Sequence, residues 1–303
     1  MTISVNRRLA GQASCLSAGL PAPIGFAGKM PAETGWKPVL LCGRIVALAL
    51  ATALLLQPAF AADKSDKKEP KKPEPPRVIV TLPLAVVAGK TNTVRVRGEN
   101  LTNVTELHFT NAVKAIVAIR SQTTLEVPKG ADANKAGDSQ LEVDLCFPAG
   151  AVPGTNYFTV SSPLGQSPAQ PLLVLAPDEA LEEQEPNGGF KQAQPLAPGK
   201  TLVGAIKEAA DVDVFRFEGL AGQQAVIEVC AARHGASLDP LLTLYDAEGH
   251  ILAVNDDANG SPDSRLKFRL PASGAYLVSI IDSFDRGGPA YVYLLRLGLE
   301  PKP

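Results

Sequence analysis

Glu183, Glu185 and Asn187 stand two positions apart. In an extended segment successive side chains alternate between faces, so these oxygen-bearing groups can point the same way. Asp211 and Asp213 repeat the spacing where a strand-like run begins. A hard cation such as calcium takes about six to eight oxygen ligands, several of them carboxylate or amide, and these residue types supply that chemistry. The alternative is a set of surface acids marking strand ends. A second acidic group, Asn255-Asp256-Asp257 followed by Asn259-Gly260 and Asp263-Ser264, reads first as a turn. Asn, Asp and Gly tolerate left-handed backbone and bond their own main chain. A weak calcium site is the other reading there.

The sequence offers little for catalysis. It contains no H-E-x-x-H zinc motif and no G-x-S-x-G nucleophile elbow. Ala88-Gly89-Lys90-Thr91 and Pro198-Gly199-Lys200-Thr201 echo the tail of a phosphate loop, but Leu84 and Gln194 stand where its first glycine belongs. Both read as turns before strands. Only three histidines occur, His108, His234 and His250, which limits general-base chemistry and zinc binding. His234 and His250 flank glycine turns and are expected to be exposed. Asp239-Pro240 reads as a strand start and not as a catalytic acid. No enzyme is expected.

The elements that must carry these residues are strands. The chain has 303 residues, room for about two domains. Its 26 glycines and 26 prolines favour short strands and turns over long helices. Val78, Val80 and Leu82 alternate, as do Val94 and Val96 against Arg95 and Arg97, and Leu141, Val143 and Leu145. Phe215 and Phe217 alternate with Arg216 and Glu218, and Leu266, Phe268 and Leu270 with Arg265, Lys267 and Arg269. Period 2 means one buried face and one wet face. Asp178–Gln184 is the one helix-prone stretch after the leader, and it is short. A net charge of −2 gives no sign of a nucleic-acid partner.

Arg44, the apolar run from Ile45 to Leu56, and Ala59-Phe60-Ala61 have the layout of a secretory signal peptide cut after Ala61. A spanning helix needs about 20 residues, more than this run provides, so no membrane span is expected after cleavage. Cys42 precedes the run and does not fit a lipidation site. Residues 1–29 look like an upstream extension, with translation starting near Met30. Residues 62–76, rich in Lys, Glu and Pro, read as a disordered tether. Residues 77–175 and 201–303 read as two all-β sandwiches, joined by a polar inter-domain segment at 176–200. Cys146 and Cys230 fall one in each and read as buried or half-buried strand cysteines.

Glu183-Gln184-Glu185-Pro186-Asn187, Gly204-x-Ile206, Asp211–Phe217, Leu238-Asp239-Pro240, Asn255-Asp256-Asp257, Asp263-Ser264, Gly274-x-Tyr276 and Tyr291-x-Tyr293 form one extended pattern. It resembles the bacterial pre-peptidase C-terminal domain, an extracellular β-sandwich module usually appended to secreted enzymes. That resemblance implies a jelly-roll-like sandwich at 201–303. Because the family includes calcium-binding members, it also implies calcium as cofactor, with Glu183, Glu185, Asn187, Asp211 and Asp213 as metal ligands. Gly188 departs from the pattern, since an acidic or amide residue often follows the Asn; the departure removes one oxygen ligand. Val94–Leu101, with Gly98-Glu99-Asn100-Leu101, resembles the G-x-N-L signature of immunoglobulin-like IPT/TIG domains and implies an Ig-like sandwich at 77–175.

The resulting expectation is a secreted or periplasmic, non-catalytic binding or accessory protein. Its partner would be an extracellular protein or polysaccharide at the cell envelope. The alternative is a trans-acting accessory or targeting module of a secreted peptidase.

Overall fold

The computed structural model describes residues 73–110, 114–127 and 137–301. The leader, the Ala61 cleavage site, Cys42 and most of the Lys/Pro-rich tether lie outside the described residues.

The alternating runs form strands where their period requires them. The first half holds β1 (Arg77–Leu82), β2 (Ala85–Val87), β3 (Thr91–Glu99), β4 (Glu106–Phe109), β5 (Ile116–Thr124), β6 (Ser139–Cys146), β7 (Gly154–Ser162), β8 (Gly165–Gln166) and β9 (Gln170–Leu175). The second half holds β10 (Ala180–Glu182), β11 (Gln194–Pro195), β12 (Thr201–Ala205), β13 (Asp213–Gly219), β14 (Gln224–Cys230), β15 (Pro240–Tyr245), β16 (Ile251–Asn255), β17 (Arg265–Arg269), β18 (Gly274–Asp282) and β19 (Val292–Glu300). No α-helix occurs among the described residues.

Four sheets result. β1-β3-β6-β5 faces β2-β9-β7-β4, with β8 added to β7. Val94, Val96, Leu141, Val143 and Leu145 from the first sheet meet Leu107, Phe158, Val160, Leu172 and Val174 from the second in one apolar core. β10-β12-β19-β14-β17 faces β11-β13-β18-β15-β16. There Leu202, Ile227, Val229 and Leu295 pack against Phe215, Phe217, Leu242, Leu244, Val278 and Ile280. The architecture is all-β, with both halves built as packed sheet pairs.

Three expectations change. Asp178–Gln184 is not helical. Residues 180–182 form β10, which pairs in parallel with β12 through Ala180↔Thr201 and Leu181↔Leu202. Packing of Leu181 against the core overrides the weak helix propensity of this stretch. Residues 176–200, expected as an inter-domain segment, contribute β10 and β11 to both C-terminal sheets. Finally, Val78, Val80 and Leu82 do not share one face. A bulge between Val78 and Val80 shifts the register of β1 on β3, and an inserted residue reverses the alternation. Val78 therefore joins the first core, while Val80 and Leu82 join the second.

That reversal ties the two halves together. The second core runs on into Val80, Leu82, Leu84, Ala85, Leu173 and Leu175. Gly235, with φ 81, lies so close that a Cβ there would come within 2.0 Å of the Ile79 carbonyl oxygen. On the polar side, Lys90 pairs with Glu182 at 3.1 Å. Halves joined by continuous apolar packing are less free to swing than halves joined by a bare linker.

Candidate functional site

The candidate site forms where β10 ends, where β13 begins, and beneath β19. The Glu183 backbone N–H donates to the Val203 carbonyl (3.1 Å), continuing the β10–β12 pairing by one residue. This fixes the direction of its side chain. Glu183 Oε2 accepts from the Ala205 N–H (2.9 Å), and Oε1 accepts from Asn187 Nδ2 (3.2 Å). Glu185 Oε2 accepts from the Asn187 backbone N–H (3.2 Å), while its Oε1 accepts from Lys207 Nζ (2.9 Å). The Asn187 carbonyl takes the Val214 N–H (3.0 Å), so the segment is pinned to β13 beside Asp213.

Asn187 and Asp213 are fully buried. Tyr293 Oη donates to Asp213 Oδ2 at 2.5 Å and lies 3.5 Å from Glu183 Oε1. Gly204 is paired directly opposite Tyr293. A Cβ at position 204 would stand 2.5 Å from the phenol carbon, so only glycine lets the ring lie across β12. This accounts for the Gly-x-Ile element of the sequence pattern.

The structure brings together four of the five expected ligands. Carboxylate oxygens of Glu183, Glu185 and Asp213 lie within 4.8 Å of one another, and Asn187 bonds to both glutamates. Asp211 is not in the cluster; its Oδ2 accepts the Lys207 N–H at 2.8 Å and closes the turn before β13. Tyr293 and Lys207 complete the surroundings. Sequence spacing could not assign them to this site, because strand pairing brings them in from distant positions.

Two buried oxygens, Asn187 Oδ1 and Asp213 Oδ1, have no hydrogen-bond partner. Buried polar atoms are normally satisfied, and both belong to the clustered residues. Burial pushes the Asp213 carboxyl up to about 9, helped by the neighbouring negative charge of Glu183 and opposed by the Tyr293 hydrogen bond. Burial, then the charges of Asp213 and Glu183, hold the Tyr293 phenol far above its ordinary value. Desolvation works against the Lys207 ammonium, but its contacts with Glu185 and Glu183 outweigh this and raise it. Left to itself, the cluster favours a proton on Asp213. A divalent cation would replace that proton and engage the two orphan oxygens, so the donor set fits a hard, oxygen-seeking ion. Gly188 lies with its backbone against the Val212 carbonyl, 3.3 Å from where a Cβ would sit, and adds no ligand.

Much of the second acidic group is tied into the fold, while Asp256 and Asp257 are exposed. Asp263, fully buried, accepts the Ala231 and Ala232 N–H groups (2.8 and 2.7 Å) and pairs with Arg233. Asn255 bonds Arg265 N–H and the Asp257 carbonyl, and Asn259 and Gly260 take positive φ. Asp239 immediately precedes β15 and donates its N–H to Asp282 Oδ2. His234 is half-buried, contrary to expectation, with burial lowering its pKa. His250 is exposed and bonded to Asp246 (2.9 Å); with Glu248 these form a second, surface group that spacing did not reveal. Cys146 and Cys230 are free, half-buried and buried respectively.

Residues 211–281 match the family model of the bacterial pre-peptidase C-terminal domain. The match lies within the C-terminal sheet pair, from the turn before β13 into β18. A probable subtilase-type serine protease of Deinococcus radiodurans is 42% identical over 103 residues, covering 33% of this chain and 14% of the protease. The match therefore spans only a small part of that relative. Among solved structures, the pre-peptidase C-terminal domain of a Bacillus anthracis collagenase is 18% identical, covering 35% of this chain and 93% of that one, with a TM-score of 0.28. The Bacteroides ovatus mixed-linkage glucan utilization locus protein SGBP-B, in complex with a mixed-linkage heptasaccharide, is 11% identical over 69% of this chain and 74% of its own, with a TM-score of 0.25. Likenesses of that size bear on neither ligand nor activity. No helix among the described residues is long and apolar enough to cross a membrane.

Proposed function

We propose that the protein is a secreted or periplasmic, non-catalytic binding or accessory protein stabilised by calcium. The observation that carries the functional class is the pre-peptidase domain at residues 211–281, a module with no catalytic machinery of its own. The calcium reading is supported by the clustering of Glu183, Glu185, Asn187 and Asp213 around two unpartnered buried oxygens. Glu183, Glu185 and Asp213 would hold the ion through carboxylates and Asn187 through its amide oxygen. Asp211 would serve the turn instead. The ion's contribution is charge neutralisation, which lets the segment 183–187 and the start of β13 be held together without a shared proton.

The partner class is an extracellular polysaccharide or protein at the envelope. The second reading, a trans-acting module of a secreted peptidase, is favoured by the 42% identity to part of a probable subtilase-type protease. Co-sedimentation of the mature chain with insoluble cell-wall polysaccharide, beside pull-down of a purified secreted subtilase, separates the two. Retention on the polysaccharide in calcium supports the first reading, and a stoichiometric peptidase complex supports the second. Mutation-sensitive hydrolase turnover by the chain alone would overturn both.

A further inference from the structure

Lys207 sits between the cation site and a cleft. Its Nζ lies 2.9 Å from Glu185 Oε1 and 3.7 Å from Glu183 Oε2, so it contacts two of the carboxylates a divalent ion would take. Its side chain is 52% exposed, which leaves it free to turn into solvent. The cleft beside it, about 510 Å³, runs between the two sheet pairs. Leu82, Pro83 and Arg95 form one wall, and Val203, Lys207 and Val292 lie on the other. Glu182 and Glu183 also border it, but Glu182 is held by Lys90. Arg95 is exposed, and its side chain forms no hydrogen bond or ion pair among the described residues.

We infer that Lys207 is the resident counter-cation of the carboxylate cluster, and that calcium displaces it into this cleft to create, with Arg95, a site for an anionic saccharide. The inference rests on the calcium reading above. A divalent ion on Glu183 and Glu185 repels an ammonium at the same oxygens, and even with Asp213 ionised it leaves the cluster one unit less negative than before. With Glu182 still paired to Lys90, the cations of Lys207 and Arg95 then outnumber the negative charge left beside the cleft. Sulfate or carboxylate groups match that pair, and the apolar walls of Leu82, Pro83 and Val292 suit a sugar ring. Linkage requires that the anionic ligand in turn tighten calcium binding.

The test is carried out on the mature chain at constant ionic strength. Calcium binding is followed by calorimetry. Affinity for labelled dextran sulfate, for oligogalacturonate and for neutral dextran is followed by fluorescence polarisation, in EDTA and in millimolar calcium. In the wild type, calcium should raise affinity for the preferred anionic probe about tenfold and leave neutral dextran unchanged. Which anionic probe gains more distinguishes sulfate from carboxylate recognition. Lys207→Met should bind calcium severalfold more tightly yet lose most of the gain, Lys207→Arg should keep it, and Arg95→Met should reduce it. If wild type binds calcium while probe affinity stays constant, the inference fails and the calcium reading stands. A gain that persists in the Lys207→Met, Arg95→Met double variant means calcium bridges the probe elsewhere, and again overturns it. If calorimetry shows no calcium binding, both fall together.

Discussion

The Tyr293 hydroxyl lies 2.5 Å from Asp213 Oδ2, with both residues fully buried, and residue 204 must lack a side chain for the ring to reach it. One strand-pairing relationship, Gly204 opposite Tyr293 on β12 and β19, thus delivers a phenol to a carboxylate 80 residues away in sequence. Gly204→Ala should force the ring aside and cost about 1–3 kcal/mol, as overpacking of a filled core does. Tyr293→Phe, which keeps the ring but removes the donor, should cost about 1 kcal/mol. Urea unfolding midpoints check both values.

Asp213 makes stability depend on pH. In the folded protein without metal its carboxyl holds a proton to about pH 9, while the ordinary value is 3.8. Between those values the native state binds more protons than the unfolded chain, so stability is fully present below the lower value and falls as pH rises toward the upper. In EDTA, denaturation midpoints should decline from about pH 5 to about pH 8.5, and Asp213→Asn should abolish this part of the decline. Calcium, which requires the ionised form, should also remove it. A midpoint independent of pH in EDTA would contradict the burial and pairing described for this carboxyl.

Asp263 provides a contrast. It is as buried as Asp213, but two backbone N–H groups and Arg233 satisfy it. Asp263→Ala should cost about 1–3 kcal/mol for each of the two backbone N–H groups it leaves without a partner, yet leave the calcium response intact. Thermal melts with and without calcium separate the two effects.

Leu82 is 6% exposed and belongs to the second core although β1 pairs within the first sheet pair. Leu82→Ala should destabilise by about 2–5 kcal/mol and loosen the packing between the halves. Limited proteolysis should then cut the 176–193 segment faster than in the wild type, while a surface change such as Lys267→Ala should not alter the rate.

Much of this fold was legible because buried faces impose a strict period. The alternations in β3, β6, β13 and β17 read directly as strands with one wet side, and Val94, Val96, Leu141 and Phe215 are indeed fully buried. β10 and β11 were hidden because both are very short and lie in polar, proline-containing sequence; only partner strands make them strands. The parity change at Val78 and Val80 was invisible because a bulge is a property of pairing, not of one strand's pattern. The cluster of Glu183, Glu185, Asn187 and Asp213 was legible from spacing and family pattern. Asp211, assigned to it by the same alternation, stands outside the group of three clustered carboxylates, with its Oδ2 accepting the Lys207 N–H. Tyr293 and Lys207 could not be placed at the site without knowing which strands adjoin.

The most direct test of the central claim is a thermal melt of residues 62–303 in EDTA and in millimolar calcium, repeated on Asp213→Ala and Asp211→Ala. An ion that binds only the folded state stabilises it by about 2.7 kcal/mol at a hundredfold excess over its dissociation constant. The account predicts that calcium raises the wild-type midpoint, that Asp213→Ala removes the shift, and that Asp211→Ala keeps it. A wild-type midpoint identical in EDTA and calcium would contradict the site, and a shift lost in Asp211→Ala but kept in Asp213→Ala would contradict its geometry.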